Sequence, residues 1–304
     1  MVQEGIPAFA LRTPTARLAL FCKTYIKDID RFAQLAGSVR AFNEDHLPFL
    51  VSTPSRDAAA FGERFANEPI LWITDEELVR GGLDDGWTQQ QIVKFHVGHS
   101  GVADNYIMVD SDFYFIRPFA TRHFLNGRGD PFLVMIDGAR SRFFEAVYGG
   151  GQNGPITASV DHAYVHHAEW DALNALDTGH GIRRIQLLFC RDGPSYGFMP
   201  GPIWNAAVLA SMETEFLIPA GLTFHDLIAI SPWEYQWYGE WVLFRQPHSI
   251  QPIEPRFFGF VADPEIERAR TLNISERFIA QYFLGIHMAS NHQEILRLDG
   301  GGGD

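Results

Sequence analysis

The chain has 304 residues, enough for one large α/β domain or two modest ones. Hydrophobic residues make up 46% and charged residues 20%, an ordinary globular balance, and 25 Phe with 7 Trp supply a substantial core. A formal net charge of −13, with no Lys/Arg cluster and no basic-aromatic stripe, excludes a nucleic-acid duplex as the expected partner. Cys22 and Cys190 each lie in an apolar run, have no CxxC partner, and read as buried free thiols in strands. That usage suits a reducing compartment. The opening "MVQEGIPAFALRTPTARLALF" lacks the basic start and apolar core of a signal peptide, and no apolar stretch has bilayer-spanning length. The expectation is a soluble cytoplasmic protein without a transmembrane segment, with peripheral contact at the inner face of a membrane through its substrate.

In chain order, "RLALFC" (17–22) is a short apolar run that predicts a strand. "DIDRFAQLAGSVRAF" (28–42) has helical periodicity, with Phe32, Leu35, Ala36 and Val39 on one side. A second strand follows at "LPFLVST" (47–53), a second helix at 55–66 behind a capping-type serine, and a third strand at "PILWIT" (69–74). Strand alternating with helix predicts a parallel sheet with crossover helices. In "TQQQIVKFHVGHSG" (88–101), Thr88 and Gln91 fit a capping box and Gly101 fits a C-terminal stop. "NYIMVD" (105–110) is too continuously apolar for an edge and predicts a buried central strand.

The second half is more irregular. Strands are expected near 131–137, 183–190 and 241–245, and helices near 168–177, 203–213 and 275–286. Gly- and Pro-rich loops at 148–155, 191–202 and 245–255 separate them and suit a substrate cleft. "LDGGGGD" reads as a flexible end.

The stretch "NYIMVDSDFYFIRPF" interrupts an apolar run with two carboxylates. In an extended segment residues i and i+2 point the same way, so Asp110 and Asp112 can present oxygens to one hard cation while Ser111 points elsewhere. Mg²⁺ and Mn²⁺ favour carboxylate and phosphate oxygens. The bland alternative is a pair of loop aspartates capping nearby N–H groups. Their place at the carboxyl end of a central strand favours the cation, because ligands of open α/β sheets bind there and buried carboxylates are costly unless paired or metal-bound.

"IVKFHVGHSGVADNYIMVDSDFYFIRPF" resembles the core of a GT-A-fold nucleotide-sugar glycosyltransferase: a helix with a polar Gln/Lys face, an apolar strand, Asp-x-Asp, then an F-x-R-P-like exit. "LALFCKTYIKDIDRF" resembles the first strand and donor-base loop of that fold. "FMPGPIWNAAVLASM" and "SPWEYQWYGEW" resemble acceptor-side motifs of its bacterial members. The resemblance covers most of residues 17–290. It implies an α/β, GT-A-like fold with a central mostly parallel sheet flanked by helices, in a single domain spanning 1–304. Residues of about 15–125 would form the nucleotide half, about 126–292 the acceptor half, and 293–304 a tail.

The same resemblance implies roles. Asp110 and Asp112 would hold Mn²⁺ or Mg²⁺ against the donor diphosphate, with Asp112 the direct ligand. His287 would be a third ligand, with His292 behind it; the alternative is Asn291 hydrogen-bonded to the nucleotide-sugar donor. Lys23, Thr24 and Tyr25 would surround the base and ribose, and Ser111 would join the cofactor-binding residues. Asp28 would cap the following helix. Gln90 and Lys94, spaced i and i+4, would reach ribose or phosphate, a surface pair being the alternative.

In "SPWEYQWYGEW" (231–241), Trp233, Tyr235, Trp237, Tyr238 and Trp241 surround Glu234 and Glu240. Aromatic faces suit sugar C–H surfaces, and a carboxylate among packed rings has its pKa raised towards the range of a general base. The alternative is a core helix turn with both glutamates in water. Glu234 is the first candidate for acceptor binder or base and Glu240 the second; Trp204 is a candidate acceptor platform alongside Trp233, Tyr235 and Tyr238. His162, His166, His167 and His180 lack an HExxH pattern and read as a solvated helix face.

The expected activity is metal-dependent transfer of a sugar from a nucleotide-diphosphate donor, a UDP-sugar being favoured, to a glycan or glycolipid. The alternative is a catalytically degenerate nucleotide-sugar or glycan binder of the same fold. A haloacid-dehalogenase-type phosphatase would place Thr or Val where Tyr114 stands, and its motif nearer the N-terminus.

Overall fold

The structure is a computed structural model that describes residues 14–79, 86–134, 185, 188–190, 201–247, 250–253, 255–260 and 263–288. The expected helix at 168–177, the histidines of 162–180, Asn291 and His292 lie outside them.

The protein is mixed α/β, with a central mostly parallel sheet flanked by helices. Strands β1 (Ala16–Lys23), β2 (Phe49–Thr53), β3 (Ile70–Thr74) and β4 (Ala103–Asp110) run parallel, and β7 (Ile203–Asn205) adds an antiparallel edge. Their order is β3-β2-β1-β4-β7. The registers Leu20↔Phe49 and Phe21↔Met108 put the apolar residues of β1, β2 and β4 beside one another. These strands are buried on both faces, which is why they read as continuous apolar runs. β3, at the edge, leaves Leu71 exposed.

The crossovers are α1 (Ile29–Phe42), α2 (Ala58–Arg64), α3 (Asp75–Leu78) and α4 (Trp87–Phe95). α1 buries Phe32, Leu35, Ala36 and Val39, the four residues that its periodicity singled out. Phe32 sits among Phe49, Phe61, Phe65 and Trp72, with ring centroids 5.0–5.9 Å from its own. Thr74 makes a full capping box with Glu77 at the start of α3. The capping box expected at Thr88 does not form. α4 begins one residue earlier with Gly86 as its N-cap, and Gly101, left-handed at φ 66°, ends the 3₁₀ turn that follows it.

Beyond β4 a second sheet, β5-β10-β9, forms from β5 (Phe113–Phe115), β10 (Gly285–Met288) and β9 (Phe257–Phe260). A two-residue pairing joins β6 (Leu133–Val134) to β8 (Pro252–Ile253). Further helices are α5 (Ala206–Met212), α6 (Phe224–Ile230), α7 (Glu234–Arg245), α8 (Asp263–Thr271) and α9 (Glu276–Ile279). One buried cluster runs from β1 through α7, and a smaller one lies between the second sheet and α8. Among the described residues no single helix is long and apolar enough to cross a membrane.

Further expectations are corrected. Residues 241–245 are the end of α7, not a strand; burial of every residue from Glu234 to Val242, followed by an exposed Phe244, removes the amphipathic pattern that marks a helix. The helix expected over 275–286 is only α9, after which the chain turns and becomes β10. Residues 203–205 are the strand β7, and the helix starts at Ala206 behind an Asn205 side-chain cap. Ile185 and Leu188, from the strand expected at 183–190, are helical, and Cys190 is exposed, whereas Cys22 is buried in β1 as expected.

Candidate active site

β4 lies between β1 and β7, and Asp110 is its last residue. A two-residue turn carries Asp112 to the start of β5. Antiparallel pairing then sets His287 of β10 opposite Phe113, with Met288 N–H donating to Asp112 C=O at 3.0 Å. The pairing brings one ligand atom each from Asp110, Asp112 and His287 within 4.8 Å of one another. His287 Nε2 is 3.4 Å from Asp112 Oδ1, a buried oxygen that accepts no hydrogen bond among the described residues. Two carboxylates and an imidazole, one oxygen of them orphaned, fit a divalent cation.

Helix α4 holds Asp110 from the other side. Gln90 Nε2 donates to Asp110 Oδ1 at 3.2 Å, and the Lys94 ammonium lies 2.9 Å from the same oxygen. The expectation that these two share a helix face is met, but both turn inwards to the aspartate. Lys94 is only 2% exposed. It also reaches Glu234 Oε1 at 3.0 Å and the Tyr235 hydroxyl at 2.7 Å, with its ammonium 4.7 Å from the Tyr235 ring centre. Burial opposes the Lys94 charge, but Asp110 and Glu234 outweigh it and push its pKa well above the usual value. Burial raises Asp110 as well, yet Lys94, His287 and the Gln90 bond hold it below the ordinary carboxylate range. Burial dominates at Glu234 and raises it in spite of Lys94.

Sequence reasoning took Gln91 only as a capping-box partner and passed over Trp87. The Gln91 amide is satisfied with its nitrogen towards Glu234, donating to the carboxylate, and its oxygen accepting from Trp87 Nε1 at 3.0 Å. Trp87 is 50% exposed and meets Trp233 edge-on, centroids 5.6 Å apart. The signal available was the i, i+4, i+7 row of Trp87, Gln91 and Lys94 on one helical face.

Lys23, Thr24 and Tyr25 follow β1 as expected. Lys23 is committed to Asp75, 3.0 Å away, and donates to Thr24 C=O at 2.7 Å. Asp75 also accepts from Ser52 Oγ at 2.6 Å. Thr24 Oγ1 and Thr53 Oγ1, at the carboxyl ends of β1 and β2, are buried without a hydrogen-bond partner. Tyr25 is exposed. Asp28 makes no side-chain cap; its carboxylate accepts from Ser111 Oγ at 3.1 Å and pairs with Arg31.

The aromatic candidates divide by burial. Trp204 and Tyr238 stack at 4.9 Å in the core, Trp204 at 0% exposure, and Tyr238 OH accepts from Asn205 N–H. Tyr235 is buried over Lys94, and Trp233 is half-buried. Glu240 is buried and accepts from Gln236 Nε2 at 2.9 Å, so neither glutamate of the motif is in water.

Residues 16–142 match a family of unknown function, DUF6492. No curated protein matches the chain. Solved structures similar to it include the bifunctional glycosyltransferase WbbM in its apo form, at 12% identity and TM-score 0.45, covering 94% of this chain and 47% of that one. Another is the galactosyltransferase LgtC in complex with donor and acceptor sugar analogs, also at 12% identity and TM-score 0.45, covering 90% of this chain and 87% of that one. The chain therefore spans about half the length of the WbbM chain.

Proposed function

We propose that the protein is a metal-dependent glycosyltransferase that takes its sugar from a nucleotide-diphosphate donor, with a UDP-sugar favoured, and a glycan or glycolipid as acceptor. The observation that carries this reading is the convergence of Asp110, Asp112 and His287 at the carboxyl end of a central parallel strand, with a buried Asp112 oxygen left unbonded. Mn²⁺ or Mg²⁺ held by these three would offset charge on the leaving diphosphate.

The chain's own groups support the rest. Tyr25, exposed after the end of β1, is the accessible group there for a nucleoside base, and the hydroxyls of Thr24 and Thr53 are buried at the strand ends. The Lys23–Asp75 pair stiffens that corner. Trp233, with Trp87 against it, is the accessible aromatic surface for a sugar's C–H face. Glu234 serves this site chiefly through its charge, because it is 2% exposed and bound to Lys94. Acceptor binding then falls to Trp233 and its neighbours.

A panel of nucleotide sugars, incubated with the protein and Mn²⁺ with and without glycan acceptors, tests the reading by release of nucleoside diphosphate. Release from one donor that depends on Mn²⁺ and on Asp112 is the expected result. Donor binding with no release from any donor would leave a binding protein.

A further inference from the structure

Lys94 is the one charged side chain that touches both the aspartate cluster and the carboxylate of α7 among the described residues. Its ammonium lies 2.9 Å from Asp110 Oδ1 and 3.0 Å from Glu234 Oε1. Two carboxylates, Asp110 and Glu234, share this buried ammonium, and Asp112 adds a third negative group beside Asp110, so the three carboxylates outnumber it. A cation drawn to Asp110 and Asp112 must share the Asp110 carboxylate with Lys94, and like charges on one carboxylate oppose each other. Glu234 and the Tyr235 hydroxyl are the oxygens that draw the ammonium the other way.

We propose that Lys94 is a positioning residue that couples the cation site to Glu234: the charge of Glu234 determines how firmly the ammonium occupies Asp110, and so how tightly the cation binds. The inference rests on the cation reading above. It gives Glu234, and the α4 face that carries Gln91 and Lys94, a function without contact to substrate. Binding at one end and charge at the other are then reciprocally linked.

The test is Mn²⁺ binding followed by electron paramagnetic resonance, alone and with UDP, on the full chain, with folding checked by circular dichroism. Glu234→Gln is expected to weaken Mn²⁺ by about fivefold or more, the lower range for coupled sites. Lys94→Met combined with Glu234→Gln removes ammonium and anchor together and is expected to restore affinity to about the parent value, which a merely structural role would not do. Should Glu234→Gln fail to fold, Tyr235→Phe carries the test, because it deletes one oxygen that draws the ammonium, and weaker Mn²⁺ binding is expected. Absence of Mn²⁺ binding by the parent, or binding that survives Asp112→Ala, overturns the cation reading and the coupling with it. Binding that Asp112→Ala abolishes but Glu234→Gln or Tyr235→Phe leaves unchanged overturns the coupling alone. A double variant that binds no better than Glu234→Gln does the same.

Discussion

His287 stands opposite Phe113 in the β5–β10 pairing, and that register delivers its imidazole to within 3.4 Å of Asp112. The third side chain of the candidate cation cluster thus comes from a strand over 170 residues further along the chain. Its position depends on how closely β10 can approach β5.

Gly285 sets that approach. A Cβ there would lie 2.6 Å from the Tyr114 carbonyl oxygen and 2.6 Å from the Phe257 ring. Gly285→Ala must part the strands, and overpacking of this kind costs about 1–3 kcal/mol. Urea unfolding should show that loss, and Mn²⁺ binding should weaken with it. His287→Ala should weaken Mn²⁺ binding with a smaller change in stability.

The Lys23–Asp75 pair is buried at both ends. Asp75→Ala strands the ammonium and removes the acceptor of Ser52, and losses of this kind run to about 3–5 kcal/mol. Replacing both, as Lys23→Met with Asp75→Leu, should recover a large part, because no charge is then left unpaired. Denaturant midpoints of the three proteins decide it.

His96 carries a pH dependence of known sign. Its Nδ1 lies 2.8 Å from Ile92 C=O and its ring packs edge-on to Phe224. Burial lowers its pKa from 6.5 to about 4. Above pH 6.5 the ring is neutral in both states, and its contribution to stability is fully present. As the pH falls towards 4, the unfolded chain takes up a proton that the folded chain refuses, and on the order of 3 kcal/mol is lost. Stability measured across that window should fall less steeply in His96→Phe than in the parent.

The first half of the fold was legible because its strands are buried on both faces and its helices are amphipathic. β1 to β4 lie within two residues of their expected bounds. Asp110 and Asp112 were legible for the same reason, as charges that break such a run. The second half was harder. α7 is buried at every residue from Glu234 to Val242, and the apolar Phe244 that follows is exposed, so "WVLFR" shows neither helical nor strand period, and β10 is a four-residue strand whose partners are remote in sequence. Trp204 and Tyr238 illustrate a different limit. Aromatic density marks a core and a sugar platform alike, and only burial separates Trp204 from Trp233. The direction of Lys94 depended on Glu234, 140 residues away, and no local pattern encodes that.

The most direct test of the central claim is calorimetric titration of UDP and GDP, with and without Mn²⁺, into the parent protein and Asp112→Ala. Nucleotide binding that requires Mn²⁺ and is lost in the variant is the predicted result. Binding indifferent to both Mn²⁺ and Asp112, or no binding of either nucleotide, would contradict it.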